Sequence, residues 1–225
     1  MHYSYTPRIV QTIAWLPTRL LLMFFCRFKV TGTSHLKKLS SAIFAVNHAS
    51  ELDSILITAA LSPFGKFSPL FYVLAPYENF RHDRFGWRQY IYSRTFFNAW
   101  GAYAVARGHR SYERSLKDHV AIVSKGHSLC IFPEGRMSKD GQHTKAHGGV
   151  AYLCAATQVP IVPVSISGSF GLSPHHFIRR RKKLRVSFGK AIYPNDLFGA
   201  RTDLSAEDYK IAAEKVLEKI STGSL

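Results

Sequence analysis

The stretch Ala42-Ile43-Phe44-Ala45-Val46-Asn47-His48-Ala49-Ser50-Glu51-Leu52-Asp53 runs from apolar residues straight into polar and ionisable ones. A short apolar run bounded in this way reads as a strand buried on both faces. Working outward, residues 70–74, 101–105, 128–132 and 161–166 repeat the pattern, and helix candidates fall between them near 51–61, 86–98, 111–125 and 146–157. A later strand over 184–188 and an amphipathic helix opened by Ser205-Ala206-Glu207-Asp208 and running to about Ile220 follow. The alternation predicts an α/β fold, a single domain with a mostly parallel central sheet flanked by helices. That domain is expected over 36–221, preceded by an N-terminal amphipathic, membrane-associating helical segment over 1–35. The chain shows no internal repeat, low-complexity tract or linker.

With 225 residues, 46% hydrophobic and 13% aromatic, the chain has enough apolar surface to offset its conformational entropy, which excludes disorder, collagen and coiled coil. The charge is the unusual quantity. Thirty Lys+Arg against 14 Asp+Glu give +16, which favours a polyanionic partner: nucleic acid, an anionic membrane or an acidic protein. Cys26, Cys130 and Cys154 lie in apolar runs without CxxC spacing, which argues against a disulfide framework or a zinc ribbon and for a reducing compartment. There is no P-loop, no Gly-x-Gly-x-x-Gly and no HExxH, so no cofactor and no metal are expected. His143 with His147, and His175 with His176, read as surface or loop histidines.

The first fifty residues carry Arg8, Arg19, Arg27, Lys29, Lys37 and Lys38 and no acid. Ile9, Ile13, Leu16, Leu20 and Phe24 recur at helical spacing and form an apolar face. A span over 9–28 has about the 20 residues a bilayer requires, but Arg19 at mid-span would cost roughly 2.5–3.5 kcal/mol and Pro17 would kink it. A helix or helical hairpin lying in the interface suits these residues better than a span. A core helix with exposed arginines is the other reading.

In open α/β sheets, ligands gather beyond the carboxyl ends of the strands. Three such loops carry notable residues: 47–53, 106–110 and 133–136. His48 and Asp53 would point apart on one continuous helix, five residues turning the side chain by about 500°. They can meet only if His48 is on the loop and Asp53 in the first turn, which Ser50 as N-cap would arrange. A carboxylate on one imidazole nitrogen then leaves the other free as a general base. Ser50-x-x-Asp53 equally has the form of a capping box, in which Asp53 only holds the helix start. Glu134 at a strand end, Gly135 able to take positive φ, and Arg136 able to grip an oxyanion form a second cluster, for which a plain strand exit is the competing reading. Arg107 alone reads as a solvated arginine.

Taken in order, Asn-His-x4-Asp, Gly-x5-Arg, Phe-Pro-Glu-Gly and Val159-Pro160-Ile161-Val162-Pro163-Val164 resemble the four successive motifs of the glycerolipid acyltransferases over about residues 40–190. The resemblance implies His48 as catalytic base and Asp53 as its partner. It implies that Arg107, Glu134, Gly135 and Arg136 bind the phosphate or head group of the acceptor, and that Pro160 belongs to a strand supporting the pocket. Lys145, counted with the substrate-binding residues, and Gly148 occupy positions where the family often has Lys and Gly. The third motif commonly reads Phe-Pro-Glu-Gly-Thr-Arg-Ser, whereas Arg136 here comes one position earlier, so the acceptor head group stays open.

The activity so implied is transfer of a fatty acyl group from acyl-CoA or acyl-carrier protein to a lysophospholipid hydroxyl, lysophosphatidic acid or a relative. No acyl-enzyme is needed, in keeping with the lack of a Gly-x-Ser-x-Gly elbow. The expected location is a membrane, peripheral or monotopic, with the active site on the cytoplasmic side. The basic run Arg179-Arg180-Arg181-Lys182-Lys183 with Arg185 and Lys190 fits anionic head groups, a carrier protein or simply solvent. The alternative is a non-enzymatic basic protein binding membrane or nucleic acid. Specific nucleic-acid recognition is not expected, since zinc-finger, RNP and helix-turn-helix patterns are missing.

Overall fold

The computed structural model describes residues 5–80, 83–106, 111–142, 144–172 and 183–222. Seven strands form one sheet: β1 Lys29–Thr31, β2 Ile43–Val46, β3 Leu70–Leu74, β4 Ala102–Ala104, β5 Ser128–Ile131, β6 Ile161–Ser167 and β7 Arg185–Phe188. Their order is β1-β7-β6-β2-β5-β3-β4, and among the described residues every pairing is parallel except that of β6 with β7. The helices are α1 Thr6–Cys26, α2 Asp53–Ala60, α3 Arg94–Trp100, α4 Tyr112–Ser115, α5 Lys117–Ser124, α6 Gly149–Thr157, α7 Pro194–Phe198 and α8 Ala206–Thr222.

The pleat of β2 explains the layers. Phe44 and Val46 point into a core shared with α1 and α2, and Ile43 and Ala45 into a core shared with α5, α6 and α8. Both faces are covered, as an apolar parallel strand requires. From β2 the chain leaves to α2 on the first face, and from the adjacent β5 to α6 on the second. Adjacent strands whose connections depart to opposite faces leave a crevice at their carboxyl ends, a topological switch point.

The N-terminal segment is a single helix laid along the domain. Gln11 Nε2 donates to the carbonyls of Leu70 and Trp100, each at 2.7 Å, and Gln11 Oε1 accepts from Leu70 N–H at 3.0 Å. Trp15 Nε1 donates to Leu61 O at 2.6 Å, and Arg19 Nη1 to Ala59 O at 2.7 Å. With the buried Leu22 and Cys26 these residues form one stripe along the helix. The opposite stripe is the sequence-derived apolar face: Ile9, Ile13, Leu16, Leu20 and Phe24 are 54–71% exposed. Length and apolarity would let Thr6–Cys26 cross a membrane, yet its inner stripe is fastened to β3, α2 and α3 along the way. It is one continuous helix rather than a hairpin, and not a core helix, because its apolar stripe is the exposed one while Arg19 faces inward and caps α2.

Other expectations need correction. Lys29–Thr31, within the helical segment expected over 1–35, is a strand of the sheet, paired with β7. The helix expected over 86–98 is a 3-10 segment Asp83–Tyr90, non-helical at Gly86, followed by the short α3. The aromatic stretch from Tyr90 to Trp100 buries only part of itself: Phe97 and Trp100 pack inward, while Tyr90 is 85% exposed.

Candidate active site

His48 follows β2 by two residues, and Asp53 opens α2. His48 Nδ1 donates to Asp53 Oδ2 at 3.0 Å, and the same oxygen accepts the N–H groups of Ala49 and Ser50 at 2.7 Å each. One carboxylate oxygen therefore both orients the imidazole and folds the loop before the helix. Ser50 is not the N-cap; Leu52 holds that position, and Ser50 Oγ accepts from Leu52 N–H at 3.2 Å. Asp53 is fully buried, whereas the His48 side chain is 22% exposed. With Nδ1–H given to Asp53, the lone pair is on Nε2, which has no partner among the described residues.

Phe132, at the end of β5, stacks on the His48 ring with centroids 4.1 Å apart and planes inclined by 18°. The sequence motif had shown Phe132 only as a strand residue. Ser138 N–H donates to His48 O at 2.7 Å, tying the loop after β5 to the loop after β2. Asn47, just ahead of His48, clasps β6 through Oδ1 to Ile166 N–H at 2.7 Å and Nδ2 to Ile166 O at 2.9 Å. The imidazole is thus held by its carboxylate, its stacked ring and the backbone on either side.

Glu134, expected among the substrate ligands, is 1% exposed. Its Oε1 accepts the His48 backbone N–H at 3.3 Å, and its Oε2 accepts the N–H and hydroxyl of Thr144 at 3.0 and 3.2 Å. Its oxygens are turned into the protein, bracing two loops of the site. Thr144 was missed from sequence, since ten residues without periodicity separate it from Glu134. Ala146 N–H donates to Glu214 Oε1 at 2.8 Å, so Lys145 is exposed between two residues pinned by carboxylates.

Gly135 adopts φ +66°, and a Cβ there would meet His147 Cδ2 at 2.7 Å. Arg136 follows it, exposed. Gly148 is enclosed for packing reasons, because a Cβ would meet Tyr112 Oη at 2.7 Å and Tyr209 Cβ at 2.8 Å. Pro160 lies ahead of β6, its carbonyl accepting Ile43 N–H at 3.0 Å at the amino end of the sheet. Arg107, His143, His175, His176 and the run from Arg179 to Lys182 lie outside the described residues. Burial pushes the Cys130 thiol well up from its ordinary value and that of Cys154 up to about 12; with Cys26 these are free, buried thiols.

A buried carboxylate and an imidazole oriented by it, with one ring nitrogen open among the described residues, lie at the switch point of the sheet, an arrangement chemically able to accept a proton. The chain belongs to the acyltransferase family, whose model matches residues 27–167. It is 32% identical over 114 residues to the chloroplastic 1-acyl-sn-glycerol-3-phosphate acyltransferase BAT2 of Brassica napus, covering 50% of this chain and 31% of that one. It is 28% identical over 159 residues to 1-acyl-sn-glycerol-3-phosphate acyltransferase of Limnanthes douglasii, covering 70% and 49%. The chain spans from about a third to half the length of these relatives. The crystal structure of the LPA acyltransferase PlsC from Thermotoga maritima shares the fold, with TM-score 0.65 and 19% identity, covering 96% of this chain and 78% of that one.

Proposed function

We propose that the protein is a membrane-associated O-acyltransferase of phospholipid biosynthesis. It moves a fatty acyl group from acyl-CoA or acyl-carrier protein to the hydroxyl of lysophosphatidic acid or a related lysophospholipid. The observation that carries this reading is the His48–Asp53 pair with its open Nε2, in a chain of this family. Nε2 takes the proton of the acceptor hydroxyl as its oxygen bonds to the thioester carbonyl carbon. The C–S bond then breaks, and the thiolate leaving group recovers the proton from the imidazolium. Asp53 holds the ring and stabilises that imidazolium by its charge.

Arg107, Arg136 and Lys145 supply the positive charge for the acceptor phosphate, and Gly135 lets the main chain approach it. Glu134 acts as a positioning residue that fixes His48 from the backbone side. The exposed apolar stripe of α1 lies in the lipid interface, with the basic, acid-free first fifty residues towards anionic head groups. Free buried cysteines and a thiol-carried donor suit the cytoplasmic side.

The test is to incubate purified protein, in anionic micelles, with labelled acyl-CoA or acyl-carrier protein and a panel of lysophospholipids, and to identify the acylated lipid. Label in phosphatidic acid, or in another diacyl phospholipid of the panel, supports the reading. Transfer to no acceptor overturns it in favour of a basic binding module.

A further inference from the structure

Exposed large apolar side chains are unevenly distributed over this molecule. Among the described residues, α4, α5, α6 and α8, on one face of the sheet, leave Ile211 alone exposed. On the other face the outer stripe of α1 is exposed, and so are Trp87 (71%), Tyr90 (85%), Ile91 (47%) and Phe96 (45%) between β3 and β4. A soluble surface rarely gathers aromatic and aliphatic side chains in this way without a partner.

The segment carrying them is built, not loose. Phe80, Tyr92 and Phe97 pack as an aromatic cluster, with Phe80–Phe97 centroids at 4.6 Å and Tyr92–Phe97 at 5.4 Å. Tyr77 Oη donates to Asn98 Oδ1 at 2.7 Å. The segment joins α1 at one end, where Gln11 binds the Trp100 carbonyl. At the other, Tyr92 Oη donates to Glu51 Oε2 at 3.3 Å, two residues before Asp53. It therefore bridges the helix assigned to the lipid interface and the loop that carries His48.

We propose that residues 87–96 form a second lipid-contacting element, which seats Trp87 and Tyr90 at head-group level beside α1 and sets the depth of the His48 site relative to the membrane. The inference rests on the membrane reading of α1. The occupant is a lipid surface because of composition and charge. Trp and Tyr present an apolar body with a polar tip, the chemistry of the bilayer interface. Arg8 on α1 and Arg94 on the segment itself, both exposed, in a chain of charge +16, match anionic head groups. A lysophospholipid already in the leaflet then offers its hydroxyl near the plane of the imidazole, without leaving the membrane.

The three native cysteines are buried, so an introduced surface thiol can be labelled selectively. Full-length Tyr90→Cys and Ile13→Cys, each carrying a polarity-sensitive fluorophore, are titrated with vesicles of phosphatidylethanolamine and phosphatidylglycerol, with and without brominated acyl chains. The expected result is a blue shift and bromine quenching at both positions. A response at Ile13 with none at Tyr90 overturns the second element and leaves the seating of α1 standing. A response at neither overturns both. A blue shift at Tyr90 that grows with protein concentration in the absence of vesicles makes a second copy of the chain the occupant, and likewise overturns the proposal. In support, Trp87→Ser combined with Tyr90→Ser should weaken vesicle binding by about tenfold or more, from the apolar area lost, while turnover of acceptor presented below its micellar concentration is kept.

Discussion

Arg19 Nη1 of α1 donates to the carbonyl oxygen of Ala59 at 2.7 Å, so a cation from the N-terminal helix closes the carboxyl end of the helix that begins with Asp53. A positive charge is favourable there, because the last carbonyls of a helix lack intrahelical partners and carry its negative dipole end. The guanidinium also lies 5.4 Å from the Trp15 ring centroid and 6.0 Å from that of Phe28. A residue that would burden a transmembrane span is thus the one that fastens the helix to the domain. Arg19→Met keeps much of the apolar stem and removes the hydrogen bond, and should cost about 1–2 kcal/mol of stability. A lower urea midpoint with unchanged vesicle binding is the expected outcome; an unchanged midpoint would show that α1 is not held at this point.

His48→Ala should lower turnover by roughly 10²–10⁴-fold if its role is proton transfer. The double duty of Asp53 Oδ2 separates two substitutions there. Asp53→Asn keeps an oxygen for the N–H groups of Ala49 and Ser50 but loses the charge that supports the imidazolium, so activity should fall with little change in thermal midpoint. Asp53→Ala also strands those two N–H groups, about 1–3 kcal/mol each where water cannot reach them, and should lower the midpoint as well. Purified, folded His48→Ala protein with wild-type turnover would refute the mechanism.

Gly135→Ala meets two separable penalties. The left-handed backbone, φ +66°, costs a residue with a Cβ about 1–2 kcal/mol. The new methyl would also press on His147 Cδ2 at 2.7 Å. Combining it with His147→Ala should recover the contact part of the lost stability and not the backbone part. Full recovery would mean that steric contact alone explains the glycine.

The central strands were legible because two-sided burial leaves an unbroken apolar run, as in Ile43–Val46 and Ser128–Ile131. Strand β1 was not, since three partly exposed residues, Lys29-Val30-Thr31, carry no pattern. The antiparallel entry of β7 was hidden too, because an apolar run encodes burial and not direction. Five-residue spacing at a strand-to-helix junction left the His48–Asp53 pairing conditional, and the order of the motifs singled it out. The inward turn of Glu134 could not, because its partners, His48 N–H and Thr144, are fixed by tertiary contact. For the aromatic residues from Tyr90 to Trp100, composition reports apolarity without saying which medium receives it, so the exposure of Tyr90 and Phe96 beside the inward Phe97 and Trp100 was not legible.

Buried His119 gives the fold a pH dependence of its own. Its Nε2–H donates to Tyr103 O at 2.9 Å, and Nδ1 is buried with no partner among the described residues. Burial holds its pKa below the ordinary value of 6.5, although the Tyr103 carbonyl and Asp118 oppose that shift. The unfolded chain therefore binds a proton at this residue as pH falls through about 6.5, while the folded chain still does not. Its contribution to stability is intact above that pH and declines below it, until the folded-state pKa is reached. His119→Gln can keep a donor to Tyr103 without titrating. Urea midpoints measured from pH 8 down to pH 5 should show a smaller loss for the variant than for the wild type, and equal losses would assign the acid sensitivity to other groups.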